Sequence, residues 1–66
     1  MEIKILEKRL IKPGETHSDY LIFYTADGNK LYQELTLAND LPDEFLIQWL
    51  EKTAKRILKN NSSPVL

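Results

Sequence analysis

The C-terminal part of the chain carries a pattern that fixes one helix. Asp40 is a candidate N-cap, and Pro42 suits a first turn, where its missing N–H leaves no hydrogen bond unmade. The pattern predicts an amphipathic helix over residues 41–59, whose apolar face must be covered by the rest of the fold. Residues 61–66 lack any period and are predicted to form a flexible tail. The apolar positions at helical spacing are Leu46, Ile47, Leu50, Ala54, Ile57 and Leu58.

Two stretches rich in aromatic, β-branched and leucine residues precede the helix, at residues 20–25 and 31–37. Between them lies Ala26-Asp27-Gly28-Asn29, in which glycine supplies the positive φ that a tight turn needs. This arrangement predicts a β-hairpin.

The register of that hairpin depends on the number of residues in its turn. A two-residue turn shifts the pairing by one residue relative to a three-residue turn and mixes the two sets of side chains. We take three residues as the working expectation, which leaves a set of aromatic side chains on the sheet face away from the helix. That set is Tyr20, Ile22, Tyr24 and Tyr32.

The N-terminal segment, residues 2–12, fits two patterns. Ile3 and Ile5 alternate as in a strand, whereas Ile3, Leu6 and Leu10 keep helical spacing. We favour a strand because isoleucine prefers strands, no N-cap residue is available, and a bulge near Leu6 would reconcile the two halves. The following proline and glycine end the segment in either case.

These elements predict an α+β fold in which a three-stranded antiparallel sheet (β-β-β-α) is covered on one face by the C-terminal amphipathic helix. A chain of 66 residues has room for one core, so we expect a single domain over residues 1–60. The chain has no cysteine for a disulfide framework, which favours a reducing, cytoplasmic setting. Its apolar runs are far shorter than the ~18 residues that span a bilayer, so no membrane association is expected.

Few residues suggest catalysis or metal binding. His17, the only histidine, lies in a polar connecting segment, and adjacent residues of such a segment lack the opposed geometry of a nucleophile and its base. Neither Gly14 nor Gly28 belongs to a phosphate-binding glycine pattern. We therefore expect no enzyme activity, no catalytic residue, no cofactor, no metal ion and no small-molecule substrate. Three carboxylates stabilise the predicted helix N-terminus without any ligand, namely Asp40, Asp43 and Glu44.

Two surfaces remain as candidates for function. One is the expected tyrosine face, because clustered exposed aromatic residues are enriched at interfaces. The other is a helix edge with Phe45, Trp49 and Arg56, where Trp49 either anchors a partner or packs against a strand. We therefore predict a small protein–protein interaction module: an adaptor, an inhibitor or a homodimer, whose net charge of -1 does not oppose self-association. The predicted interaction residues are Tyr20, Ile22, Tyr24, Tyr32, Trp49 and Arg56.

The alternative is a nucleic-acid-binding domain that uses the same sheet face. Lys4, Lys8 and Lys12 would share one face of the first strand and, with Lys30, form a basic rim around the tyrosines. The element order also resembles that of the arm-binding domains of tyrosine recombinases, a resemblance from which no site residue is carried over. A sequence pI near 5.7 counts against this alternative.

Overall fold

The computed structural model describes residues 1–61 of the chain. The three strands form one antiparallel sheet in the order β1-β2-β3, and the helix packs on one face of it. The predicted α+β fold is therefore confirmed. Asn61 is helical, and the rest of the predicted tail, residues 62–66, lies outside the described residues. The elements are β1 (Ile3–Lys12), β2 (His17–Ala26), β3 (Asn29–Ala38) and α1 (Asp43–Asn61).

The core lies between α1 and the sheet. Leu46, Leu50 and Ala54 repeat every four residues along α1, as predicted, and all three are buried. Burial of such side chains stabilises the fold by about 1.5–3 kcal/mol for each large residue. The remaining members of the predicted stripe, at positions 47, 57 and 58, are half-buried at its margins. The buried apolar residues are Ile22, Tyr24, Ala26, Leu37, Leu46, Leu50 and Ala54.

The turn between β2 and β3 contains two residues, not the three that we expected. Asp27 and Gly28 have φ values of 50° and 86°, and Ala26 lies opposite Asn29. Positive φ at both central positions is the type I′ geometry, whose twist matches that of the flanking strands. The register of the hairpin is therefore shifted by one residue from the expected one.

This shift removes the expected tyrosine face. Ile22 and Tyr24 are fully buried beneath α1, and Tyr20 is half-buried on the same side. Tyr32 is the member of the set on the other face of the sheet, where it is 71% exposed. The physical reason lies in β3, whose leucines form its most apolar set and face the helix. A two-residue turn places the even-numbered residues of β2 opposite those leucines.

The N-terminal segment is a strand, and the predicted bulge near Leu6 is confirmed. The pairing of β1 with β2 is irregular between Ile5 and Glu7, and again between Leu10 and Lys12. Each irregularity inserts one unpaired residue, which exchanges the two faces for the residues that follow.

The bulge also breaks the predicted row of lysines. Lys4 and Lys12 lie opposite Thr25 and Asp19, on the face of the sheet away from α1. Lys8 lies opposite the buried Ile22 and so belongs to the helix side of the sheet. The expectation that the three lysines share one face is therefore wrong.

The helix begins two residues later than predicted. The carbonyl of Pro42 accepts hydrogen bonds from the N–H groups of Phe45 and Leu46 at 3.1 and 3.3 Å, which places the N-cap at Pro42 and not at Asp40. The predicted acidic first turn is present, with Asp43 and Glu44 at its start. Among the described residues, no helix combines the length and the apolarity needed to cross a membrane.

A polar network centred on Asn39 ties the β1–β2 connection to the end of β3. The Asn39 side-chain amide donates to the carbonyls of Gly14 and Glu15 at 2.9 and 3.0 Å, and its Oδ1 accepts from the Ser18 hydroxyl at 2.6 Å. Ser18 is buried and in turn accepts from the Gly14 N–H at 3.0 Å. The Asn39 N–H donates to the Thr16 carbonyl at 2.8 Å. The chain that leads from β3 into α1 is thereby held in place.

Candidate functional site

The two edges of the sheet differ in how they are protected. β1 carries two irregularities and a series of exposed cationic side chains, features that discourage pairing with another strand. β3 pairs with β2 without interruption from Asn29 to Ala38 and contains no proline. No strand of residues 1–61 pairs with its outer side, which we call the β3 edge. A long, regular and unpaired edge is a template for another strand.

The turn geometry determines which backbone groups of β3 are free. Residues that flank a two-residue turn form a hydrogen-bonded pair, and such pairs alternate along an antiparallel ladder. Asn29 is hydrogen-bonded to β2, so the odd-numbered residues of β3 direct their N–H and C=O groups toward β2. The residues with backbone groups on the β3 edge are Lys30, Tyr32, Glu34 and Thr36.

An apolar groove with a volume of about 330 Å³ runs between β3 and α1. Phe45 and Trp49 are each 52% exposed along it, although both are large aromatic residues. Its lining residues are Leu35, Thr36, Leu37, Leu41, Phe45 and Trp49.

Phe45 and Trp49 also border a second depression on the helix surface. This depression has a volume of about 250 Å³ and adds Gln48 and Lys52 to the two aromatic residues. The aromatic pair is thus a ridge with a concave surface on each side. Arg56, the other predicted interaction residue of the helix edge, lines neither of these two depressions.

The face of the sheet away from α1, which we call the outer face, carries a second aromatic cluster. The rings of Phe23 and Tyr32 lie 6.2 Å apart between centroids, with 36° between their planes. The Arg9 guanidinium lies 5.3 Å from the Phe23 ring centroid and donates to Glu7 at 2.8 Å. On the helix side, the Lys8 ammonium lies 4.9 Å from the Tyr20 ring centroid. Phe23, not Tyr20 or Tyr24, is therefore the aromatic neighbour of Tyr32.

Cations and carboxylates are interspersed around this outer aromatic cluster. Lys4, Lys12 and Lys30, three of the four lysines of the predicted rim, are exposed on the outer face. Asp19 and Glu34 lie among them, and the Thr36 hydroxyl donates to Asp19 at 2.6 Å. The outer face consequently has no single-sign field.

The polar residues considered for catalysis lie apart from these surfaces. His17 is exposed, and its Nδ1 lies within hydrogen-bonding distance of the Thr16 hydroxyl at 3.0 Å. Within residues 1–61, no three His, Asp or Glu side chains are grouped so that they could hold a metal ion. The Tyr24 hydroxyl and Gln33 Oε1 are buried and have no hydrogen-bond partner in the described part of the chain, and burial raises the pKa of Tyr24.

Sequence reasoning identified Trp49 and Phe45 but missed their partners on β3. The relevant signal is the alternation of Leu31, Leu35 and Leu37, which places an apolar row on the helix side of an edge strand. Comparison of the chain with family models, curated proteins and solved structures finds no significant match.

Proposed function

We propose that the protein is a non-enzymatic protein-binding module that binds an extended segment of a partner protein along the β3 edge. The observation that carries the proposal is the combination of a ten-residue strand, whose outer edge has no strand partner within residues 1–61, with the half-exposed ridge of Phe45 and Trp49 beside it. The absence of cysteine supports a reducing, cytoplasmic setting for this module.

The two parts of this surface supply different components of binding. An added strand forms main-chain hydrogen bonds with the outward N–H and C=O groups of β3, which provide affinity for any extended segment. Every second side chain of that segment lies on the helix side and points toward the groove. The groove lining is apolar apart from Thr36, so it selects leucine, valine or aromatic side chains.

Aromatic residues at the rim favour binding for an entropic reason. Phe45 and Trp49 offer a large contact area but have only two side-chain torsions to restrict, so ordering them on binding opposes association weakly. A half-exposed tryptophan beside an apolar groove has the properties of a binding hot spot.

Selection from a library of displayed peptides tests this function and does not require the partner to be identified first. Peptides of about ten residues, which match the length of a long strand, are selected on the sparsely immobilised protein. We expect selected peptides to carry apolar residues at alternate positions. Their affinity should fall about tenfold or more in Trp49→Ala and Phe45→Ala.

Leu6→Ala provides the matched control, because Leu6 is 51% exposed but lies in the bulge of β1. Binding to this variant should equal binding to the parent protein. Peptides that bind Trp49→Ala as well as the parent, or that are equally sensitive to Leu6→Ala, would contradict the proposal.

Single-stranded nucleic acid is the second candidate ligand, and it is favoured by the outer aromatic cluster. Tyr32 presents an exposed ring beside Phe23, whose ring is covered by Arg9, and Lys4 and Lys30 lie on the same face of the sheet. The interspersed carboxylates weaken the attraction to phosphate. A salt-dependent gel shift that Tyr32→Ala abolishes would support this candidate, and no binding at low salt would exclude it.

A further inference from the structure

We infer that the segment bound along the β3 edge is β3 of a second copy of this chain, an inference that rests on the proposed function. Antiparallel pairing of the two β3 strands about a two-fold axis would join two three-stranded sheets into one of six strands. The β3 edge is self-complementary in one register, and this property identifies the occupant.

A two-fold axis at Tyr32 places opposite charges across the new strand pair. In this register Lys30 lies opposite Glu34 of the second copy, Glu34 lies opposite its Lys30, and the two Tyr32 side chains face each other. All three residues direct their backbone groups outward, so the register also forms the hydrogen bonds of an antiparallel ladder. Opposite charges and paired aromatic residues both stabilise adjacent strands.

The neighbouring allowed registers lack this match. An axis at Glu34 would place the two Glu34 carboxylates opposite each other, which is destabilising. An axis at Gln33 would place Lys30 opposite Thr36 and Tyr32 opposite Glu34, with no pair of opposite charges. The sequence of the edge therefore favours the axis at Tyr32.

The charges of Lys30 and Glu34 are available for such pairing. Both side chains are exposed, and within residues 1–61 neither forms an ion pair. Four residues along a strand span about 13 Å, so the two side chains are too far apart to neutralise each other within one copy.

In the same arrangement, the groove of each copy lies beside the β2–β3 turn of the other copy. Each groove borders residues 35–37 of its own β3, and an axis at Tyr32 places those residues opposite residues 27–29 of the second copy. The outer edges of the six-stranded sheet would then be the two β1 strands, with their bulges and cations. Such edges resist further pairing, so assembly stops at two copies.

Charge reversal with sedimentation velocity tests the inference. Lys30→Glu and Glu34→Lys each place like charges opposite each other, and each should weaken self-association on the order of tenfold. A mixture of the two variants restores both opposite-charge pairs and should form heterodimers. The double variant K30E/E34K should dimerise like the parent protein.

Lys4→Glu is the control, because it makes the same change in net charge as Lys30→Glu, on the same face but at the other edge of the sheet. It should leave self-association unchanged. A parent protein that stays monomeric at millimolar concentration, or a mixture that does not restore association, would overturn the inference. If the monomer still binds Trp49-sensitive peptides, the proposed function stands without the inferred dimer. If no Trp49-sensitive peptide binds either, the inference and the proposed function both fail.

Discussion

Ala26 lies directly opposite Asn29, so that only Asp27 and Gly28 connect β2 to β3. The turn is held from both sides. The Asn29 side-chain amide donates to the Ala26 carbonyl at 3.1 Å, and Asp27 exchanges hydrogen bonds with the backbone of Glu2 at 2.7 and 2.9 Å. These contacts fix the register of the hairpin and therefore decide which side chains lie under the helix.

Replacement of Gly28 by alanine tests this turn. A Cβ at Gly28 would meet no atom of residues 1–61 within 4 Å, so the cost arises from the backbone, whose φ of 86° disfavours alanine. We expect Gly28→Ala to lower the free energy of unfolding by about 1–2 kcal/mol in urea titrations. Gly28→Asn should lose less, because asparagine tolerates this conformation better. Equal stability of all three proteins would contradict the type I′ assignment.

The element order and most of the helix could be predicted because they depend on local patterns. Two such patterns do not depend on the tertiary context: the helical spacing of Leu46, Leu50 and Ala54, and the alternation of Ile3 and Ile5. The faces of the hairpin could not be predicted with the same security, because a one-residue change in the turn exchanges them. The Asp27-Gly28 pair, which favours two-residue turns, was the available signal for the correct register.

The network around Asn39 gives a second prediction. Asn39→Ala removes partners from the Gly14 and Glu15 carbonyls and from the buried Ser18 hydroxyl. We expect a loss of about 1–3 kcal/mol in the free energy of unfolding, measured by urea titration. Thr36→Ala deletes an exposed hydrogen bond and should change stability much less. Equal losses in the two variants would show that the Asn39 network contributes no more than one exposed hydrogen bond.

Tyr24 gives a third prediction, because its hydroxyl is fully buried and has no hydrogen-bond partner within residues 1–61. Tyr24→Phe keeps the ring and removes the unpaired polar group, so we expect stability to rise by about 1 kcal/mol. Tyr32→Phe is the control, since Tyr32 is 71% exposed on the outer face. A clear loss of stability in Tyr24→Phe would indicate a hydrogen bond that the described contacts do not contain.

The pH dependence of stability should change in the same variant. Burial raises the pKa of Tyr24 above its unfolded value of about 10, because the neutral phenol is favoured in the core. The contribution of this pKa shift to the free energy of unfolding is fully present below the unfolded pKa and is lost as the pH rises through the folded pKa. The midpoint temperature of thermal unfolding of Tyr24→Phe should therefore decline less steeply above pH ~10 than that of the parent protein. Identical alkaline profiles would contradict the burial effect.

Trp49 and Leu50 are adjacent in sequence but should respond differently to truncation. Leu50 is fully buried, so Leu50→Ala should lower the free energy of unfolding by about 2–5 kcal/mol. Trp49 is half-exposed at the groove, so Trp49→Ala should lose clearly less than the about 3–5 kcal/mol of a buried tryptophan. Urea titration of both variants measures the difference. A larger loss for Trp49→Ala would place Trp49 in the core and weaken its assignment to binding.

The candidate site could be predicted only in its helical part. Trp49 stands at the margin of the apolar stripe, which sequence spacing shows directly. Its partners on β3, such as Leu37, depend on where α1 crosses the sheet, and no local pattern encodes that position. The free edge of β3 likewise depends on strand order, which is a tertiary property.

Amide hydrogen exchange along β3 tests the proposed binding surface most directly. The N–H groups of Lys30, Tyr32, Glu34 and Thr36 point away from β2, whereas those of the odd-numbered residues are hydrogen-bonded to it. We expect the amides of Lys30, Tyr32 and Glu34 to become protected when the ligand is a second copy at millimolar concentration, and that of Thr36 as well when the ligand is a selected peptide. Unchanged exchange rates at these amides, or new protection on β1 instead, would contradict binding along the β3 edge.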